Sequence, residues 1–387
     1  MSAFIMRGVD AHTLTGQLRR GRGLGLRRAL SDGGAEAVEA VYGCCVDDPR
    51  DDRSTEERSW YLLRLARALR LDSAPIAAHL LAPVAETDED DCRIGLAADV
   101  LAGLARDGDP RALQALRAYV VEGRYWSRAL DAMWEEGGDA MCEGLAPAVL
   151  ARADDDELRF HVEIDDGPWS AWAAGEPRIR ALLDAESPRS GGGGAWWPLR
   201  ELPDARLMAL VEADGPAART QAMRELGRRG DPVLLDLAED PAMRNVAGGV
   251  PGLWAVLDRL GAGALDRARG WAASDDPDLA GQGVRVLAEH GTAQDVPALL
   301  ADLTAMAEQR EWCGAETPAR GLGRLGAAEA VPTLRFLWKE TTHSYARGDY
   351  LAGLLGAAGA GAAELLVEAA DDCEERVREY TSGTAQS

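Results

Sequence analysis

A large apolar residue followed four positions later by glycine recurs along this chain. It is seen at Leu104/Gly108, Met133/Gly137, Leu226/Gly230, Leu257/Gly261, Leu287/Gly291, Leu322/Gly326 and Leu355/Gly359. From Gly230 onward the glycines stand 31, 30, 35 and 33 residues apart. Self-similarity at a period of roughly 20 to 50 residues is the signature of a stacked repeat array. In such an array each unit packs on its neighbours, so 387 residues need not divide into separate globular cores. This feature constrains the architecture far more than it constrains the ligand.

The unit around Gly291 shows the pattern. Val284, Val286, Leu287 and Ala288 predict a helix over 282–289, which Gly291 ends in a left-handed cap. Asp295 is placed to cap the next helix and Pro297 suits its first turn. Leu299, Leu300, Leu303 and Met306 then fall on one helical face. The sequence Leu322-Gly-Arg-Leu-Gly326 followed by Val331-Pro332 repeats the plan. Gly108-Asp-Pro110 and Gly230-Asp-Pro232 are variants with Asp-Pro directly after the glycine.

These residues resemble HEAT-like repeats of the kind named for phycobilin lyases. The likeness covers residues 218–370 and, more loosely, 93–152. It implies an all-α fold, an α-α superhelix (a HEAT/armadillo-like α-solenoid) of about nine or ten helical hairpins. It also implies that the second helices line a concave surface. Less regular units, such as 60–69 with 76–81, fill the gaps. The division expected is an atypical N-terminal capping region over 1–57, a first sub-array over 58–185, a Gly/Trp-containing loop over 186–198 and a second sub-array over 199–387. The loop carries the run Gly191–Gly194.

Net charge is −23, spread almost equally over the two halves, and such a field repels phosphate backbones and anionic membranes. All basic residues but Lys339 are arginine, which together with the Ala, Gly and Asp content reads as a GC-rich bacterial genome. The six cysteines form no C-x-x-C pair, so neither a zinc site nor a disulfide framework is indicated, and a reducing cytoplasm is the expected setting. No apolar run near 18 residues stands out, and Met1 to Val9 lacks the apolar core of a secretory leader. Arg19, Arg20, Arg22, Arg27 and Arg28 crowd the N-terminal region, either as part of the cap or as an arm that contacts a peptide or nucleic acid.

Catalytic constellations are scarce. There is no P-loop, no G-x-S-x-G elbow and no H-E-x-x-H helix. No histidine precedes a glutamate, which argues against the di-iron hydroxylases found among HEAT-type proteins. His161, Glu163, Asp165 and Asp166 are the densest ligand-like group, but they read as an acidic loop, and neither a metal nor a cofactor is expected. An Arg-x-Trp pattern recurs at Arg124/Trp126, Arg269/Trp271 and Arg310/Trp312, with Arg335 and Trp338 a near relative. Arginine and tryptophan are favoured interface anchors, so these residues either line a binding groove or seal the seam between repeats. Trp196 and Trp197, beside the glycine run and near Trp169 and Trp172, are a second candidate apolar patch.

The expectation is a non-enzymatic scaffold that binds a protein or peptide, possibly basic, through Arg124, Trp126, Arg269, Trp271, Arg310, Trp312, Trp338, Trp196 and Trp197. The alternatives are a solenoid-type enzyme such as an alkylpurine DNA glycosylase, a chromophore lyase-like protein, or an acidic decoy that mimics nucleic acid.

Overall fold

The apolar-x-x-x-Gly signature is a helix-ending device. At Gly326, with φ +66°, the amide of the following Ala327 donates to the carbonyl of Leu322 at 3.0 Å. The same six-to-one bond joins Asp109 to Leu104 across Gly108, and Asp231 to Leu226 across Gly230. The left-handed residue reverses the chain and the apolar residue four before it packs beneath the turn, as in a Schellman cap. Two further units use arginine at the left-handed position. Leu71 closes onto Ala66 across Arg70, and Glu311 onto Met306 across Arg310.

Gly291 departs from the expectation. Its φ is −60°, and glycine is required there for space, because a Cβ would meet the Leu287 carbonyl oxygen at 2.3 Å. Asp295 departs too. A short 3-10 turn, Ala293–Asp295, precedes the helix Val296–Gln309, so the carboxylate turns back to accept the Thr292 amide at 2.8 Å. Asp109 and Asp276 do cap their helices, each accepting two backbone N–H groups ahead of a proline in the first turn.

The computed structural model describes residues 9–83, 94–164, 167–186, 199–212, 216–244 and 250–382. Every regular element among the described residues is helical. Two compact units divide the chain. The first comprises residues 1–189, 340–348 and 364–387, and the second comprises residues 190–339 and 349–363.

In the first unit the hairpins stack in two layers. Helices Gly23–Asp32, Ser59–Leu69, Gly95–Arg106 and Trp126–Gly137 pack in succession. Beside them Ala35–Val46, Ala74–Leu80, Pro110–Glu122 and Ala146–Arg152 do the same. The segment 23–46, expected as part of an irregular cap, thus continues both layers as an ordinary hairpin. Its core is aliphatic: Leu26, Val41, Leu62, Leu65, Leu101, Leu116 and Leu130 are all essentially inaccessible to solvent.

In the second unit Pro216–Arg229 packs on Leu253–Leu260, and Leu265–Ala272 on Pro277–His290. Pro277–His290 in turn packs on Glu316–Arg324. One helical stretch among the described residues, Ser344–Ala369, passes the length and composition test for a membrane span, with a hydropathy of 1.5. It escaped the sequence reading because alanine and glycine, rather than a leucine run, make it apolar. It is broken by the 3-10 turn Gly359–Ala362; Tyr350, Leu351 and Leu354 within it are buried, while a third of its apolar window is buried in all.

Arginine supplies a second recurring device. Arg152 reaches the carbonyls of Val120, Val121 and Gly123 at 2.7–3.0 Å, and Arg178 those of Leu150 and Ala153. In the second unit Arg229 reaches Leu199 and Arg200, and Arg259 reaches Arg228 and Arg229. Arg324 reaches Ala288 at 2.9 Å and Gly291 at 2.7 Å. In each case one guanidinium satisfies carbonyls at or near the C-terminal end of a helical segment about one repeat earlier. Carbonyls at helix C-termini lack the partners that interior ones have, and a fork of donors suits them better than a single ammonium. Arg324→Gln should lower stability by about 1–3 kcal/mol in urea unfolding, and Arg324→Lys should restore only part of that loss.

Candidate functional site

The densest group of ionisable side chains lies in the first unit, where residues 20–64 meet residues 340–347 and 368–374. Two guanidiniums, Arg58 and Arg347, are fully buried. Arg347 forms a two-pronged pair with Asp372, with Nε to Oδ2 at 2.9 Å and Nη2 to Oδ1 at 2.7 Å, and it donates to the Arg20 carbonyl at 2.6 Å. Arg58 donates to Ser344 Oγ and to Cys373 Sγ, both at 2.7 Å, and lies 3.5 Å from Glu56 and 3.6 Å from Glu374. The His343 ring nitrogen Nδ1 is 2.7 Å from Glu56. Outward of this core, Arg22 pairs with Glu368, and both Arg27 and Arg64 with Asp371.

Two of its carboxylates are driven in opposite directions. Burial pushes Glu56 upward, but the His343 hydrogen bond and Arg58 outweigh it and the net shift is down. Burial dominates at Glu374 and raises it despite Arg58. Cys373 is raised well above an ordinary thiol by burial, in spite of the two guanidiniums beside it, so it stays protonated and inert. Ser344, with His343 and a carboxylate nearby, has the composition of a nucleophile set. It is fully buried, however, and its hydroxyl is held by Glu56, Glu374 and Arg58, so no substrate reaches it. The arrangement neutralises charge in a core. No motif marks it, because many of its contacts join segments about 290–350 residues apart, although Arg347 and Asp372 are only 25 apart. The arginine run expected as a cap or an arm is engaged here: Arg19 with Asp47, Arg20 with backbone carbonyls, and Arg22 and Arg27 with carboxylates near the other end of the chain.

The Arg-x-Trp residues divide into two kinds. Trp126, Trp271 and Trp338 are buried, at 2–3% exposure, and do not present a face to a partner. Trp126 donates its indole N–H to Glu157 at 3.0 Å and packs edge-on against His161 and Trp169. Trp271 donates to Glu239 at 2.8 Å. These contacts span 31 and 32 residues, about one repeat, so both indoles join successive units. Arg124 is exposed beside Tyr125, and Arg269 pairs with Asp295 and Asp266.

Arg310 and Trp312 differ. Arg310 is exposed in the left-handed cap position, its guanidinium 6.0 Å from the centre of the half-buried Trp312 ring. The Trp312 carbonyl accepts a 2.5 Å hydrogen bond from the buried Tyr350 hydroxyl, which fixes the loop. A further occurrence passed unnoticed in the sequence. In Arg58-Ser-Trp60 the roles are inverted: the arginine is buried, and the tryptophan is 41% exposed beneath Arg378 at 4.0 Å. Trp196, Trp197, Asp165 and Asp166 lie outside the described residues.

The chain matches no family model, no curated protein and no solved structure. The likeness to HEAT-like repeats rests on the repeat spacing and turn pattern alone.

The two kinds of tryptophan should separate on substitution. Trp338→Ala should cost about 3–5 kcal/mol of stability by opening a core cavity. Trp312→Ala should cost about 1 kcal/mol or less, both read from thermal melts followed by circular dichroism.

Proposed function

We propose that the chain is a non-enzymatic scaffold that binds a protein or peptide, with Arg310 and Trp312 as its anchor in the second unit. The observation that carries this is the left-handed backbone of Arg310. Glycine serves at most of the equivalent caps, Arg70 being the other exception, and an L-residue there costs roughly 1–2 kcal/mol; Arg310 differs from Arg70 in standing beside the Trp312 ring. Strain kept at an exposed residue beside a half-exposed indole is the kind found at binding positions. Tyr350 holds the loop in place, which lowers the entropy that a partner must remove.

Charge favours a partner that is itself basic. Many of the guanidiniums are engaged inside the fold, whereas carboxylates such as Asp266, Asp156 and Asp47 stand out in solvent. That distribution disfavours the nucleic-acid groove a DNA glycosylase needs and speeds encounter with cations. The four described buried thiols are free, in keeping with a reducing cytoplasm.

A displayed random-peptide library panned on the full chain tests the reading, with the Arg310→Gly, Trp312→Ala variant as comparison. The expected result is a set of net-positive peptides that bind the parent at least about tenfold more tightly than the variant. The variant should remain folded, since glycine relieves the cap. Enriched peptides that bind both proteins equally, or preferential binding of duplex DNA by the parent, would overturn it.

A further inference from the structure

A cavity of about 230 Å³ opens in the first unit, lined by Arg50, Arg53, Ser54, Gly95 and Arg128. In a chain of net charge −23, three guanidiniums around one small hollow are an exception to the general field. They come from two places. Arg50 and Arg53 lie in the acidic loop after the helix Ala35–Val46, and Arg128 lies in the first turn of Trp126–Gly137. Gly95 opens the 12-residue helix Gly95–Arg106, whose first turn has no side-chain cap.

The wall is built rather than incidental. Arg50 is held by Asp48 in a two-pronged pair, with Nε to Oδ1 at 3.0 Å and Nη2 to Oδ2 at 2.7 Å, and both side chains are more than nine-tenths buried. Asp48 also lies 3.8 Å from Arg53, which is 40% exposed. Asp99, one turn along the helix from Gly95, stands 3.9 Å from Arg128. Burial pushes the Asp99 carboxyl up to about 6, against the pull of Arg128 and Arg50. The two carboxylates position the guanidiniums without filling the hollow. A Cβ at Gly95 would stand 3.4 Å from the Arg128 guanidinium, in ordinary contact with it, which places this helix end against the hollow.

We infer that this hollow is a binding site for a phosphomonoester of a small molecule. The Ser54 hydroxyl is committed to Asp52 at 2.6 Å and one edge of Arg50 to Asp48, and the remaining guanidinium N–H groups with a helix N-terminus match a tetrahedral dianion with several acceptor oxygens. A carboxylate carries only one charge and two oxygens, too few for the donors that converge here. The volume exceeds the roughly 30 Å³ share of one water several-fold, leaving room for a group beyond the phosphate. The inference is independent of the scaffold reading, because it uses none of the same residues.

Isothermal titration of the full chain, in chloride buffer at constant ionic strength, tests it with inorganic phosphate, glycerol phosphate and acetate as probes. The expected result is saturable one-to-one binding of both phosphates, with glycerol phosphate the tighter, and none of acetate. Arg53→Gln and Arg128→Gln should each weaken binding by about tenfold or more. Arg111→Gln, on a side chain 70% exposed on the helix Pro110–Glu122, should leave it unchanged. Circular dichroism checks that each variant is folded. If Arg128→Gln fails to fold, the exposed Arg53→Gln carries the test alone. The inference is overturned if neither phosphate binds saturably, if acetate binds as well, or if Arg53→Gln binds like the parent.

Discussion

Two guanidiniums without access to water, Arg58 and Arg347, set the terms for the first unit. An arginine cannot shed its charge, so burying one requires carboxylates and carbonyls placed around it in advance. Here those groups come from segments near the two ends of the sequence: Arg20 and Glu56 on one side, Ser344, Asp372 and Glu374 on the other. The Cys373 amide donates to the Gly21 carbonyl at 2.9 Å and closes the backbone over the same spot. A stack of hairpins held only by neighbour contacts has no need of such long-range pairs. Their presence makes the order of the first hairpins depend on residues about 290–350 positions further along the sequence.

The same side-chain type works at short range between repeats. Arg152, Arg178, Arg229, Arg259 and Arg324 each cover the carbonyls of a segment about one repeat away. With one lysine in the chain, the multi-pronged geometry of arginine is used throughout. The abundance that looked like a genomic bias has a structural use at each of these positions. It also leaves fewer cations for a partner, which is why the cavity at Arg50, Arg53 and Arg128 stands apart.

The repeat and its hairpins were legible because their determinants are local. The spacing of Leu322 and Gly326 encodes a cap completed within six residues, and 282–289 reads as a helix and lies within Pro277–His290. Asp295 was misjudged because an inserted 3-10 turn shifts the cap by three residues, a change that composition does not mark. The buried tryptophans were half legible. Their recurrence announced a role, but whether an indole faces a neighbouring repeat or solvent depends on packing one period away. The core around Arg347 was not legible, since nothing local marks the 25-residue spacing to Asp372 and the Arg20 carbonyl it also reaches lies 327 residues away.

The Arg347–Asp372 pair is a coupled element of the core. A double-mutant cycle with Arg347→Met and Asp372→Leu, read by urea unfolding, addresses it most directly. Each single substitution should cost about 3–5 kcal/mol by stranding a buried charge, and the double variant should recover most of that loss. Single substitutions that cost little, or losses that simply add in the double variant, would contradict the account.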